Sequence, residues 1–124
     1  MTYFKTWQTR SGNKYKAIKT TYGGSVYDSK REVTKAMELN QMVKDKQIKS
    51  WEKQIKIELR GEFGTRICNY FCDFLITHND GTLEYLEIKS KATITPVFRI
   101  KWKLLCDQMK EKMKTGEVKL TIEY

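Results

Sequence analysis

Asp73, Glu87 and Lys89 are the residues of this sequence best suited to chemistry. Two carboxylates brought together repel, which raises the pKa of one of them, and a divalent cation resolves the conflict. Magnesium takes a few carboxylate oxygens, keeps several waters and completes its shell with substrate phosphate. An ammonium beside such an ion orients the attacking water and steadies charge on the phosphate, so the three groups together suit phosphodiester hydrolysis. The same residues on a solvated strand face would make only a Glu87–Lys89 or Asp73–Lys89 contact. A second set, Cys68, Cys72 and His78, has the atom types of a zinc site. It supplies no fourth ligand and lies in a strand-like segment, so buried free thiols are expected. Three cysteines make no paired framework and fit a reducing compartment.

The chemistry depends on elements that bring Asp73 to Glu87. Ile67–Ile76 is rich in β-formers, and Leu83–Lys89 follows across His78-Asn79-Asp80-Gly81-Thr82. A three-residue loop of Asn79, Asp80 and Gly81, with Gly81 left-handed, pairs His78 with Thr82 and makes residue numbers across the ladder sum to 160. Asp73 then lies opposite Glu87, and alternation puts Lys89 on the face of Glu87. Glu52–Leu59 reads as the preceding strand, and Val118, Leu120 and Ile122 as a final one. Ser29–Asp45 is helical, with Asp28 or Ser29 as N-cap and Glu32, Ala36, Leu39 and Val43 on one face. Glu32 heads that apolar stripe, and a half-buried carboxylate there needs a partner. A capping box with Ser29 and a functional role both fit its position. A second helix, Val97–Met113, turns Phe98, Trp102, Leu105, Met109 and Met113 to one face. Lys14–Ile18 and Ser25–Tyr27 flank Tyr22-Gly23-Gly24 as a small basic hairpin or arm over residues 1–27.

Asp73 ending an apolar strand, a turn, and then Leu86-Glu87-Ile88-Lys89 resembles the D...E-x-K core of the PD-(D/E)XK nucleases. More narrowly, Tyr27-Asp28-Ser29-Lys30-Arg31-Glu32, Gln54, Cys72-Asp73-Phe74 and Glu87-Ile88-Lys89-Ser90-Lys91 resemble small phage and prophage nucleases related to Holliday-junction resolvases. The similarity runs from about Lys14 to Leu105. It implies an α/β, restriction-endonuclease-like α-β-β-β-α-β core, with a central mixed sheet flanked by helices. It also implies magnesium or manganese held by Asp73, Glu87 and the Ile88 carbonyl, with Lys89 positioning the water. Glu32 would correspond to the helical glutamate that ligates metal directly or through water. The proline that names the superfamily is replaced by Cys72, at a position that varies widely among its members.

With 124 residues the chain has room for a single domain, since domains run to roughly 100–150 residues. Its 24 Lys and Arg against 15 Asp and Glu leave a net charge of +9, which points to a polyanionic partner. Residues 1–60 carry 14 basic and 6 acidic side chains, so the basic surface belongs mainly to the N-terminal half. Lys14, Lys16, Lys30, Arg31, Lys91 and Lys101 are the candidate phosphate contacts. Most other helix lysines read as a solvated face. The apolar stretches are too short for a membrane span or signal peptide, so a cytoplasmic location is expected, and the resemblance implies a bacterial or phage-infected cell. The resemblance makes branched DNA the expected substrate, and symmetric cleavage of a four-way junction requires a homodimer. Other DNA nucleases of the superfamily, a non-catalytic nucleic-acid-binding module and a basic interaction protein remain alternatives. The N-terminal Tyr3, Phe4 and Trp7 suit core packing, DNA contact or dimerisation equally.

Overall fold

The computed structural model describes residues 20–27 and 29–124. The expected strand Lys14–Ile18, with Lys14 and Lys16, the aromatics Tyr3, Phe4 and Trp7, and the cap candidate Asp28 lie outside those residues. The chain divides into two compact units, Met1–Met37 and Glu38–Tyr124. In the first, strands β1 (Thr20–Tyr22) and β2 (Ser25–Tyr27) form an antiparallel hairpin. Its two-residue turn uses Gly23 and Gly24 at φ 57° and 81°, the paired positive dihedrals that match the twist of a tight hairpin. Helix α1 (Lys30–Lys44) begins in this unit and ends in the next. Ser29 caps it, its Oγ accepting the Glu32 N–H at 3.2 Å and donating to Glu32 Oε2 at 3.4 Å. Glu32 and Ala36 are buried there, as the apolar stripe requires.

The second unit holds strands β3 (Ser50–Arg60), β4 (Arg66–Thr77), β5 (Leu83–Ile88) and β6 (Val118–Glu123), with helix α2 (Pro96–Lys114) before the last. The result is an α/β fold whose core order, from α1 onward, is α-β-β-β-α-β. The sheet order is β3-β4-β5-β6. The first three strands form an antiparallel meander, and β6 runs parallel to β5. A parallel neighbour needs a long crossover, which α2 supplies. Thr95 starts α2 by accepting the Phe98 N–H on its hydroxyl at 3.1 Å, and Pro96 occupies the first turn, where a missing N–H does no harm.

The β4–β5 register has the expected sum of 160: Phe74 pairs with Leu86 and Thr77 with Leu83. The turn closes through His78 N–H to Thr82 O at 2.8 Å and Gly81 N–H to His78 O at 3.0 Å, with Gly81 at φ 92°. Ile57, Leu59, Tyr70 and Cys72 bury against Phe98 and Leu105 of α2, with Ile55, Trp102 and Met109 at the margin. Met113, expected on that face, is exposed.

Besides the register shift at Leu59/Arg60, strict strand alternation fails in the middle of β3 and β4. Trp51 and Ile55 would share a face in an unbroken strand, yet Ile55 packs under α2 while Trp51 donates to Asn40 of α1 at 2.9 Å and meets Phe74 edge-on. On β4, Cys72 belongs to the α2 cluster and Phe74 to Trp51. The break on β3 falls at Gln54, whose φ is 54°, and the packing partners place the one on β4 between Cys72 and Phe74, where Asp73 lies. Lys53 pairs with Phe74 and Ile55 with Cys72, so Gln54 and Asp73 occupy facing positions. Leu105 is wholly inaccessible to solvent at the centre of the α2 cluster. Leu105→Ala is expected to lower unfolding free energy by about 2–5 kcal/mol in urea titrations, through lost burial and a residual cavity.

Candidate active site

The last regular β4–β5 pair is Phe74 with Leu86, and one step further the carboxylates take over the bonding. Glu87 Oε1 accepts the Tyr70 hydroxyl at 2.7 Å and the Asp73 backbone N–H at 3.2 Å. Asp73 Oδ2 accepts the Ile88 N–H at 2.9 Å. Each acidic side chain is thereby held on the opposite strand. Lys89 Nζ stands 3.5 Å from Glu87 Oε2 and 4.2 Å from the centroid of the Phe98 ring. Asp73 and Glu87 are only 8% and 4% exposed, and Lys89 is largely enclosed. Asp73, Glu87 and Lys89 therefore converge, as their spacing predicts.

Tyr70 and Phe98 are parts of this site that their positions in the sequence conceal. Tyr70 lies three residues before Asp73, and unbroken alternation would send the two side chains to opposite faces. The break at Asp73 lets a residue of the α2 cluster reach Glu87 with its hydroxyl. Phe98 and Trp102 hold the Tyr70 ring at centroid distances of 6.5 and 6.3 Å, and Phe98 also lies beneath the Lys89 ammonium. Helix α2 thus fixes both a donor to Glu87 and the position of its counter-charge. Neither role is separable from core packing in the sequence.

Burial pushes the Glu87 carboxyl above its ordinary range, partly opposed by the Lys89 charge and by the bonds from Tyr70 and Asp73 N–H. Repulsion from Asp73, the cause expected from the sequence, is not the leading one: removal from water is. Burial, followed by the Glu87 charge, drives the Tyr70 hydroxyl far upward, so it remains a donor. Cys72 is raised first by burial and then by the Glu87 and Asp73 charges. Its neutral thiol lies against the Phe74 and Leu86 carbonyls, at 3.5 and 3.4 Å. A zinc ligand must be a thiolate, so this cysteine suits the core better than a metal. His78 instead meets Glu84 at 2.8 Å, and all three cysteines are free. Among the described residues no group of three or more His, Cys, Asp or Glu side chains is assembled for metal binding. Asp73, Glu87 and the Ile88 carbonyl, the ligands that the D...E-x-K resemblance implies, are all oxygen donors, the hard-donor chemistry of magnesium or manganese.

Glu84 is another buried carboxylate, and it is differently served. Burial raises its pKa, but the Thr121 hydroxyl at 2.7 Å, the bond from His78 and the nearby Lys119 charge outweigh that and leave it lowered. It ties the hairpin turn to β6. Lys30, Arg31 and Lys91 are exposed, the first two in the opening turn of α1 and the third in a 3-10 turn, Lys91–Thr93. Lys101 is half-buried and spends one N–H on the Asn69 carbonyl at 3.1 Å, so its ammonium first anchors α2 to β4.

Residues 12–122 match the sequence profile of the family described as Protein of unknown function (DUF1064), and the chain belongs to that family. No curated protein and no solved structure matched the chain.

Glu87 binds a proton more tightly folded than unfolded, because its folded pKa is the higher one. Its contribution to stability is present in full below the unfolded pKa and is lost as pH rises through the folded value. In chelator, Glu87→Gln is therefore expected to gain stability over wild type as pH rises from 4 to 8, and urea midpoints across that range measure the gap.

Proposed function

We propose that this member of the family is a metal-dependent endodeoxyribonuclease of the PD-(D/E)XK type, selective for branched DNA. The observation that carries the reading is the clasp of Asp73 and Glu87, two nearly inaccessible carboxylates on adjacent strands with Lys89 3.5 Å from the second. Glu87 is held against a desolvation penalty that a bound cation would relieve. Asp73, Glu87 and the Ile88 carbonyl would hold magnesium or manganese, which when bound supplies Lewis acidity and activates water. The element order supports the same reading, since it matches the α-β-β-β-α-β core that the D...E-x-K resemblance implies, and the β4–β5 register sets Asp73 opposite Glu87.

The chain's own residues divide the remaining work. Lys89, seated on Phe98 and paired with Glu87, presents a fixed positive charge that orients the attacking water and steadies the phosphate. Tyr70 holds Glu87 Oε1 in place through its hydroxyl. The net charge of +9 supplies salt-dependent attraction to the DNA backbone, with the exposed Lys30, Arg31 and Lys91 among its carriers. Symmetric cutting of a four-way junction needs two such sites about a two-fold axis, so the reading includes a homodimer.

A second reading is a non-catalytic nucleic-acid-binding module on the same scaffold. The full set of bonds to Glu87, from Tyr70, Asp73 N–H and Lys89, favours it, because a satisfied ion pair also serves as structure. Labelled four-way junction, flap, linear duplex and single-stranded DNA, incubated with magnesium, manganese or chelator, separate the two. Paired symmetric nicks confined to the junction are expected of wild type. Glu87→Gln is expected to retain junction binding and lose cutting by about a thousandfold or more, equivalent to about 4 kcal/mol of transition-state stabilisation. Cutting by the variant at the wild-type rate would refute the site, and binding without cutting by wild type would establish the module.

A further inference from the structure

We propose that Gln54 is a further residue of this site and gives its side-chain amide oxygen to the water shell of the divalent cation that Asp73 and Glu87 would hold. The inference rests on the nuclease reading above and extends it to a residue on a third strand. Three observations meet at Gln54. It occupies the β3 position facing Asp73, between the pairs Lys53–Phe74 and Ile55–Cys72. Its backbone stands at φ 54° inside an 11-residue strand, a left-handed conformation that disfavours side chains other than glycine. Its Oε1 is fully buried and, among the described residues, is the only buried side-chain nitrogen or oxygen atom without a hydrogen-bond partner.

Each of the last two features works against folding. Glycine would relieve the dihedral, and an apolar side chain would relieve the orphaned acceptor. A glutamine that keeps both at the ladder position facing Asp73 is accounted for by something that arrives later. What Oε1 lacks is a donor. A phosphate oxygen is an acceptor and cannot satisfy it, whereas water bound to a divalent cation is a strong donor. Magnesium and manganese bound through few carboxylates retain such waters, so the missing partner has the chemistry of a hydrated cation. Gln54 then acts on the ion's shell, in line with the outer ligands that orient metal sites generally.

The test compares wild type, Gln54→Met, Gln54→Glu and Glu87→Gln, with manganese binding measured by calorimetry and thermal unfolding measured in chelator. Gln54→Met keeps the side-chain length and removes the acceptor. It is expected to unfold at the wild-type temperature or a few degrees above, and to lose manganese affinity by about 10–100-fold. Gln54→Glu keeps an acceptor oxygen and is expected to bind manganese at least as tightly as wild type. Wild-type affinity in Gln54→Met, alongside loss of binding in Glu87→Gln, would overturn the role of Gln54 and leave the nuclease reading standing. A Gln54→Met chain that unfolds several degrees lower in chelator would also overturn it, because the amide would then serve the fold. Wild type that binds no manganese would overturn the nuclease reading and this inference together.

Discussion

A carboxylate taken out of water destabilises a protein by several kcal/mol unless donors replace the lost hydration. Glu87, the centre of the candidate site, meets that demand with a hydroxyl, a backbone N–H and an ammonium. Much of the surrounding architecture exists to bring those three groups together. The β4–β5 register delivers the Asp73 N–H, the end of β5 delivers Lys89, and the α2 cluster delivers Tyr70. Even so, burial prevails over its donors, and Glu87 stays raised above the ordinary carboxylate range.

Glu84 shows what full compensation looks like. It too is buried in β5, yet Thr121, His78 and Lys119 bring its pKa below the ordinary value. Its partners come from the turn before β5 and from the neighbouring strand, so it works as a clamp in the sheet. The two carboxylates lie three residues apart on one strand and differ through their surroundings alone. One is satisfied by the fold, and the other retains an unfavourable term that a cation would remove.

The breaks in alternation at Gln54 and Asp73 connect the site to the core. Without them Tyr70 and Asp73 would project to opposite faces, and the aromatic group of Tyr70, Phe98 and Trp102 would have no path to Glu87. The break at Gln54 carries a left-handed backbone and an orphaned oxygen. Irregular geometry of this kind persists where surrounding structure over-determines it, and such places concentrate at functional sites.

Local chemistry in the sequence determined a good deal. Apolar periodicity located both helices, and the β-rich runs located the sheet strands to within a few residues of their observed ends. The Asn79-Asp80-Gly81 loop alone set the β4–β5 register, because Gly81 supplies the left-handed residue that a three-residue hairpin loop needs. That register was enough to bring Asp73, Glu87 and Lys89 together. Tertiary structure decided the rest. Tyr70 and Phe98 read as core residues because their partners lie 17 and 9 positions away, at Glu87 and Lys89. The bond from Lys101 to the Asn69 carbonyl, and the exposure of Met113 at the far end of α2, likewise depend on the packed structure. The face change at Gln54 and Asp73 leaves no mark in the alternation of residue types. Alternation encodes a flat, regular strand, whereas the break is set by what the two helices offer each strand to pack against.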